Sequence, residues 1–160
     1  MSQLADYLCE RIRSGEIEAF LGAHEVIREF RLKSQDGGGV EPWASRILAA
    51  PPSAKDVKSL RTALLDALLN GNDSSASGAA FALAELQDAE LVPVLRKQLH
   101  RQMRALSRTY GAVWNLIQAL ECSGEEVLPA ARSRSALDIE AALRGAREYL
   151  AKHRIMVTVL

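Results

Sequence analysis

Aromatic residues are scarce in this chain, 5% of 160 residues, whereas Ala and Leu are abundant. A core with so few rings suits helix-on-helix packing, in which small Ala faces let helices approach and Leu fills the seams. Cysteine is also scarce. Cys9 and Cys122 lie far apart and form no CxxC pair, so no disulfide framework or thiolate metal site is expected. Free thiols fit a reducing, cytoplasmic setting. No apolar run approaches the roughly 20 residues that span a bilayer, so no membrane partner is expected. The opening residues Met-Ser-Gln-Leu-Ala-Asp lack the basic and apolar stretches of a signal peptide. Net charge is absent too, with 20 basic and 20 acidic residues. That argues against a protein held on nucleic acid by bulk charge alone.

Motifs of catalysis are equally sparse. His24, His100 and His153 have no second ligand at metal spacing, and His24-Glu25 is not continued into HExxH. Gly37-Gly38-Gly39 is followed by Val40-Glu41-Pro42, where a phosphate loop needs Gly-Lys-Ser or Gly-Lys-Thr. Residues 34–42 therefore read as a plain Gly-rich loop. The acidic pairs Glu16/Glu18 and Glu125/Glu126 stand at helix starts, where the dipole favours them. Nothing beside Cys122 supplies a base, and Cys9 reads as a small hydrophobe. No cofactor, metal or catalytic residue is expected.

What is present is helical periodicity in a chain of ordinary composition, 48% apolar and 25% charged. Residues 2–13 place Leu4, Tyr7, Leu8 and Ile12 on one stripe, with Ser2 as a cap. A second helix from Glu16 to Lys33 offers Ile17, Phe20, Leu21, Val26, Ile27 and Phe30. A short helix at Trp43–Ala50 ends at Pro51-Pro52. Ser53 then caps a helix from Ala54 to Leu69 with Val57, Leu60, Ala63, Leu64, Ala67 and Leu68 inward. Asn70-Gly71-Asn72-Asp73, residues tolerant of left-handed backbone, close it. A helix at 75–86 is followed by a turn and by a second helix opened by Val92-Pro93, with Val92, Leu95, Leu99, Met103 and Leu106 on one face. The arrangement recurs: 33 positions separate Gly78 from Gly111 and Phe81 from Trp114, and Pro129 answers Pro93 after 36. A third copy opens at Leu137 and continues through the helix Asp138–Lys152.

Residues 79–99 follow the pattern AxxALAELxDxxLVPxLxxxL. This resembles a HEAT repeat, especially the short bacterial HEAT-like repeats found also in phycobilisome lyases. The resemblance covers mainly residues 75–133 and extends toward 54 and 152; residues 1–50 depart from it. It implies an all-α fold: a short α-solenoid of stacked antiparallel helix hairpins over 54–152, within a single domain 1–160. Residues 1–50 would form an atypical helical cap, and 155–160 an apolar tail packed on the last hairpin or paired with another chain.

The charges are unevenly spread. From Leu91 to Leu120 there is no Asp or Glu, but there are Arg96, Lys97, Arg101, Arg104 and Arg108, with His100. Lys97, Arg101, Arg104 and Arg108, spaced 4, 3 and 4, share one helix face. The resemblance places second helices on the concave surface of the stack, which would make this a basic stripe there. Tyr110 and Trp114 on the next helix would add an aromatic anchor. The functional expectation is a non-catalytic protein-protein interaction module, an adaptor or a bacterial immunity protein. It would bind an acidic surface of another protein through Arg96, Lys97, His100, Arg101, Arg104, Arg108 and Tyr110. The alternatives are a nucleic-acid-binding helical repeat and a lyase-like enzyme subunit. The opposing structural expectation is a solvated face whose cations pair with Asp66, Asp88, Glu121 or Glu125.

Overall fold

The computed structural model describes residues 3–36, 52–105, 110–128 and 135–153. Outside them lie the Ser2 cap, most of the Gly-rich loop 34–42, the helix expected at Trp43–Ala50, Leu106, Arg108, Pro129 and the tail 155–160. Among the described residues the chain is all-helical. It contains α1 (Gln3–Arg13), α2 (Ile17–Asp36), α3 (Ala54–Asn70), α4 (Asp73–Leu83), α5 (Val92–Arg104), α6 (Tyr110–Cys122) and α7 (Ile139–Lys152). Short 3₁₀ turns, Ala84–Leu86 and Ala89–Leu91, stand between α4 and α5. No helix among them is long and apolar enough to cross a membrane.

The chain divides into two compact units, 1–86 and 87–160. In the first, α1 and α2 are joined by three residues and α3 and α4 by two, connections short enough to make each pair a hairpin. The hairpins lie layer on layer, α1 against α3 and α2 against α4. The boundary falls between Leu86 and Gln87, so α1 and α2 share a unit with α3 and α4. In the second unit α5 packs on α6, and α7 packs on both. Thus α4 has its hairpin partner α3 within the first unit, and α5 packs on α6 within the second.

Local chemistry sets the helix ends. Ser53 accepts from Asp56 N at 3.1 Å while the Asp56 carboxylate accepts from Ser53 N at 3.0 Å, a complete capping box that lets Asp56 be buried. Ser14-Gly15-Glu16 and Ser123-Gly124-Glu125 close α1 and α6 in the same way. Each glycine has positive φ (77° and 100°), and the following Glu N–H reaches back to the carbonyl of Arg11 or Leu120 at 3.2 and 3.0 Å. Gly71 differs from expectation. Its φ of −77° is not left-handed. It is required because a Cβ would come within 2.5 Å of the Ala67 carbonyl oxygen. Helix α2 also runs to Asp36, three residues into the stretch read as loop.

The buried faces correct two stripes. Helix α3 buries Val57, Leu60, Ala63, Leu64, Ala67 and Leu68 as expected. Helix α1 turns Ala5, Leu8, Cys9 and Ile12 inward, leaving Tyr7 51% exposed. Helix α2 uses Ala19, Phe20, Ala23, Val26 and Ile27, while Ile17 and Leu21 face water. The small residues win the contact lines because they let neighbouring backbones come close. Burial raises the Cys9 thiol pKa, so it is the small hydrophobe its place suggested.

The equivalent glycines of the sequence repeat have different roles. A Cβ on Gly78 would meet the fully buried Phe20 ring at 2.8 Å, whereas one on Gly111 would meet nothing within 4 Å. Gly78→Ala is therefore expected to cost about 1–3 kcal/mol by overpacking. Gly111→Ala should be neutral or stabilising by up to about 1 kcal/mol. Denaturant unfolding of the two variants checks both; a destabilised Gly111→Ala would show that the helix start is less open than described.

Candidate functional site

Helix α5 is amphipathic and its two polar flanks have different fates. Val92, Leu95, Leu99 and Met103 are buried, together with Gln98 and Gln102. Arg96 leaves α5 on one flank and enters a polar knot. Its Nε donates to Tyr149 Oη at 2.7 Å, and its Nη2 donates to Glu125 Oε1. Tyr149 Oη passes its own hydrogen to the same Glu125 oxygen at 2.7 Å. The guanidinium also sits 5.6 Å above the Tyr149 ring, and the His153 ring lies 4.7 Å from that ring. The Schellman turn at Gly124 is what delivers Glu125 to this point, just beyond the end of α6.

The electrostatics follow from those contacts. The hydrogen bond from Tyr149, with that from Arg96, holds the Glu125 carboxyl below its ordinary value against the opposing effect of burial. Burial, reinforced by donation to Glu125, pushes the Tyr149 hydroxyl up to about 12 despite the neighbouring guanidinium. Arg96, bonded first to Tyr149 and then to Glu125, is raised above its ordinary value. The knot joins α5, the turn after α6, and α7. It thereby fixes the rotation of α5 about its axis.

With Arg96 turned inward, Lys97, Arg101 and Arg104 are turned out, about 100° of helical rotation away. All three are exposed. Among the described residues none of them takes part in an ion pair, side-chain hydrogen bond or ring contact. Two of the acids expected to neutralise them are otherwise engaged: Glu125 is in the knot, and Asp66 accepts from Asn70 at 2.8 Å. Arg108 lies outside the described residues. His100 is half-buried and has a partner, so it is not part of the free face. Tyr110 is half-buried; its hydroxyl donates to the Ala136 carbonyl at 2.7 Å and its ring tilts toward Trp114 at 6.3 Å. Burial, then the nearby Asp138, raises the Tyr110 pKa. Of the seven residues read from the sequence, the structure therefore leaves Lys97, Arg101 and Arg104 as a continuous exposed set and withdraws Arg96 into the protein.

A second polar constellation, in the first unit, has no signature in the sequence pattern. His24 stacks on Phe81 at 4.3 Å, with Nδ1 3.3 Å from Glu25 and Nε2 3.1 Å from Glu85. Arg31 donates to Glu85 at 2.6 Å. These contacts tie α2 to α4 and to the 3₁₀ turn that follows it. Only the adjacent His24-Glu25 pair is visible locally; the partners come from 57 and 61 residues further along. Among the described residues no three His, Cys, Asp or Glu side chains could gather on a metal ion.

The knot makes stability pH-dependent at both ends of the scale. The unfolded chain binds the Glu125 proton more readily than the folded one. Its contribution is therefore present above the ordinary value of 4.5 and lost as pH falls through the lowered folded value. Neutral Tyr149 contributes below 10, and that contribution is lost as pH rises through about 12. Tyr149→Phe should cost about 1–3 kcal/mol, because the Arg96 Nε–H loses its acceptor. It should also flatten the acid limb of a stability-against-pH curve measured by chemical denaturation. An unchanged acid limb would mean that Tyr149 does not hold Glu125 ionised. Compared with protein-family models, with curated proteins and with solved structures, the chain matches none of them.

Proposed function

We propose that this chain is a non-catalytic protein-binding module that docks an acidic surface of another protein through the exposed face of α5. The observation that carries this reading is that, among the described residues, Lys97, Arg101 and Arg104 stand free of any carboxylate although the chain as a whole is neutral. Like charges side by side repel one another, and among the described residues no carboxylate offsets that repulsion. Complementary charge on a partner removes the repulsion, speeds encounter and sets the orientation of docking. An adaptor or an immunity protein would need nothing more than such a face with a matching shape.

We read the architecture behind this face as a short HEAT-like array. Two features support that reading. The hairpins α1–α2 and α3–α4 lie layer on layer. The two sequence copies also bury the same positions at their starts, Ala79 with Ala112, Ala80 with Val113 and Leu83 with Leu116.

The functional test is an affinity capture from the native host with mass spectrometric identification. Wild type is run beside a variant carrying Lys97→Glu, Arg101→Glu and Arg104→Glu. The three side chains are exposed, so each replacement should change stability by no more than about 0.5 kcal/mol. The expected result is one protein retained by wild type and lost by the variant, with retention falling as salt rises. A partner held equally by both forms would remove the α5 face from the interface. Retention of nucleic acid at low salt in place of protein would replace the reading altogether.

A further inference from the structure

The charge neutrality of the chain hides a division between its units. Residues 1–86 carry nine basic and twelve acidic residues, net −3; residues 87–160 carry eleven and eight, net +3. The first unit also presents a local counterpart of the α5 face. On α1, Asp6 and Glu10 are exposed four residues apart, and among the described residues neither has an ion pair or a side-chain hydrogen bond. They lie on the side of α1 turned away from the buried Ala5, Leu8, Cys9 and Ile12.

We infer that the acidic surface fitted by the α5 face is the α1 face of a second copy of this chain. This rests on the α5 face being a docking surface and names its occupant. The spacings match. Asp6 to Glu10 and Lys97 to Arg101 are each four residues, about 6 Å along a helix axis. With the two helices antiparallel, Glu10 faces Lys97 while Asp6 faces Arg101. The charges at the ends of the two faces also favour antiparallel docking. Arg13, exposed and without an ion pair among the described residues, comes after Glu10 on α1. Glu90, also exposed and also without an ion pair among them, precedes Lys97 in the 3₁₀ turn before α5. Arg13 is then carried toward the end of α5 at which Glu90 stands. Parallel docking would set Arg13 against Arg104 and lose this match. Tyr7, 51% exposed beside Asp6, supplies an aromatic body at the edge of the contact.

The two faces are different surfaces, so the contact is heterologous. Each copy keeps one face free, and assembly is open-ended unless the rotation closes a ring. Exposed ion pairs are individually weak and screened by salt. Association is therefore expected at low salt and high concentration.

Sedimentation equilibrium on the full chain tests this. At low salt and protein concentrations up to about 1 mM, the weak end of specific association, the mean mass should rise steadily above the 17.5 kDa monomer. It should return to the monomer value at about 1 M salt, where the screening length is about 3 Å. Two charge-reversed forms are then compared: one with Asp6→Lys and Glu10→Lys, the other with Lys97→Glu, Arg101→Glu and Arg104→Glu. Each alone should remain monomeric, with circular dichroism confirming that it is folded. Mixed together they should associate again, because each now carries the face that complements the other. A wild type that stays monomeric throughout, or a mixture that fails to associate, overturns the inference. Capture of a different acidic protein by the α5 face would survive that outcome, so the two readings fail separately.

Discussion

The Arg96 side chain is three-quarters buried, and its guanidinium reaches its acceptors only if α5 holds one rotation about its axis. The Tyr149 hydroxyl and the Glu125 carboxylate lie on the side of α5 that faces α7 and the turn after α6. Rotating α5 away would give up both bonds and leave the buried Tyr149 hydroxyl and the Glu125 carboxylate without their shared donor. Burial of Val92, Leu95, Leu99 and Met103 sets the coarse orientation, and the knot sharpens it. Everything outward-facing on α5 depends on that choice. Lys97 is next in sequence to Arg96, yet one is bonded inside the protein and the other has no partner among the described residues.

How much of this is legible in the sequence depends on the range of the interaction. Ser53 and Asp56 are three residues apart, and local pattern alone identifies the cap and inward face of α3. The stripes of α1 and α2 read about one position off, because size is a poor guide to burial where helices pack closely. Tyr7, Ile17 and Leu21 look like core, but Ala5, Ala19 and Ala23 occupy the contact lines. Gly71 looks like a left-handed cap, whereas the carbonyl of Ala67 and the side chain of Ser75 are what exclude a side chain there. The 4,3 spacing of Lys97, Arg101 and Arg104 is a local property and is visible. The fate of Arg96 is not, since its partners lie 29 and 53 residues away. The same holds for His24, whose partners at Phe81 and Glu85 no short-range pattern announces.

The distribution of charge is the feature on which the proposed docking rests. Acids and bases that could have neutralised one another within the chain are instead satisfied selectively. Glu125, Glu85 and Glu16 each take an arginine, while among the described residues the cations on α5 and the acids on α1 stand apart. Such partition gains little for folding, because exposed pairs are nearly neutral in water. It is effective for recognition, where like charges grouped on one surface give long reach and reject partners of the same sign.

The central claim is that α5 separates its arginines into one that is locked and two that are free. An arginine-selective dicarbonyl reagent, followed by peptide mass spectrometry, measures this residue by residue. In the folded protein Arg101 and Arg104 should modify readily while Arg96 is protected. In Tyr149→Phe, Arg96 should gain reactivity and the other two should not change. Equal modification of Arg96, Arg101 and Arg104 in the wild-type protein would contradict the account. It would mean that the knot does not hold α5, and that the basic face has no fixed orientation.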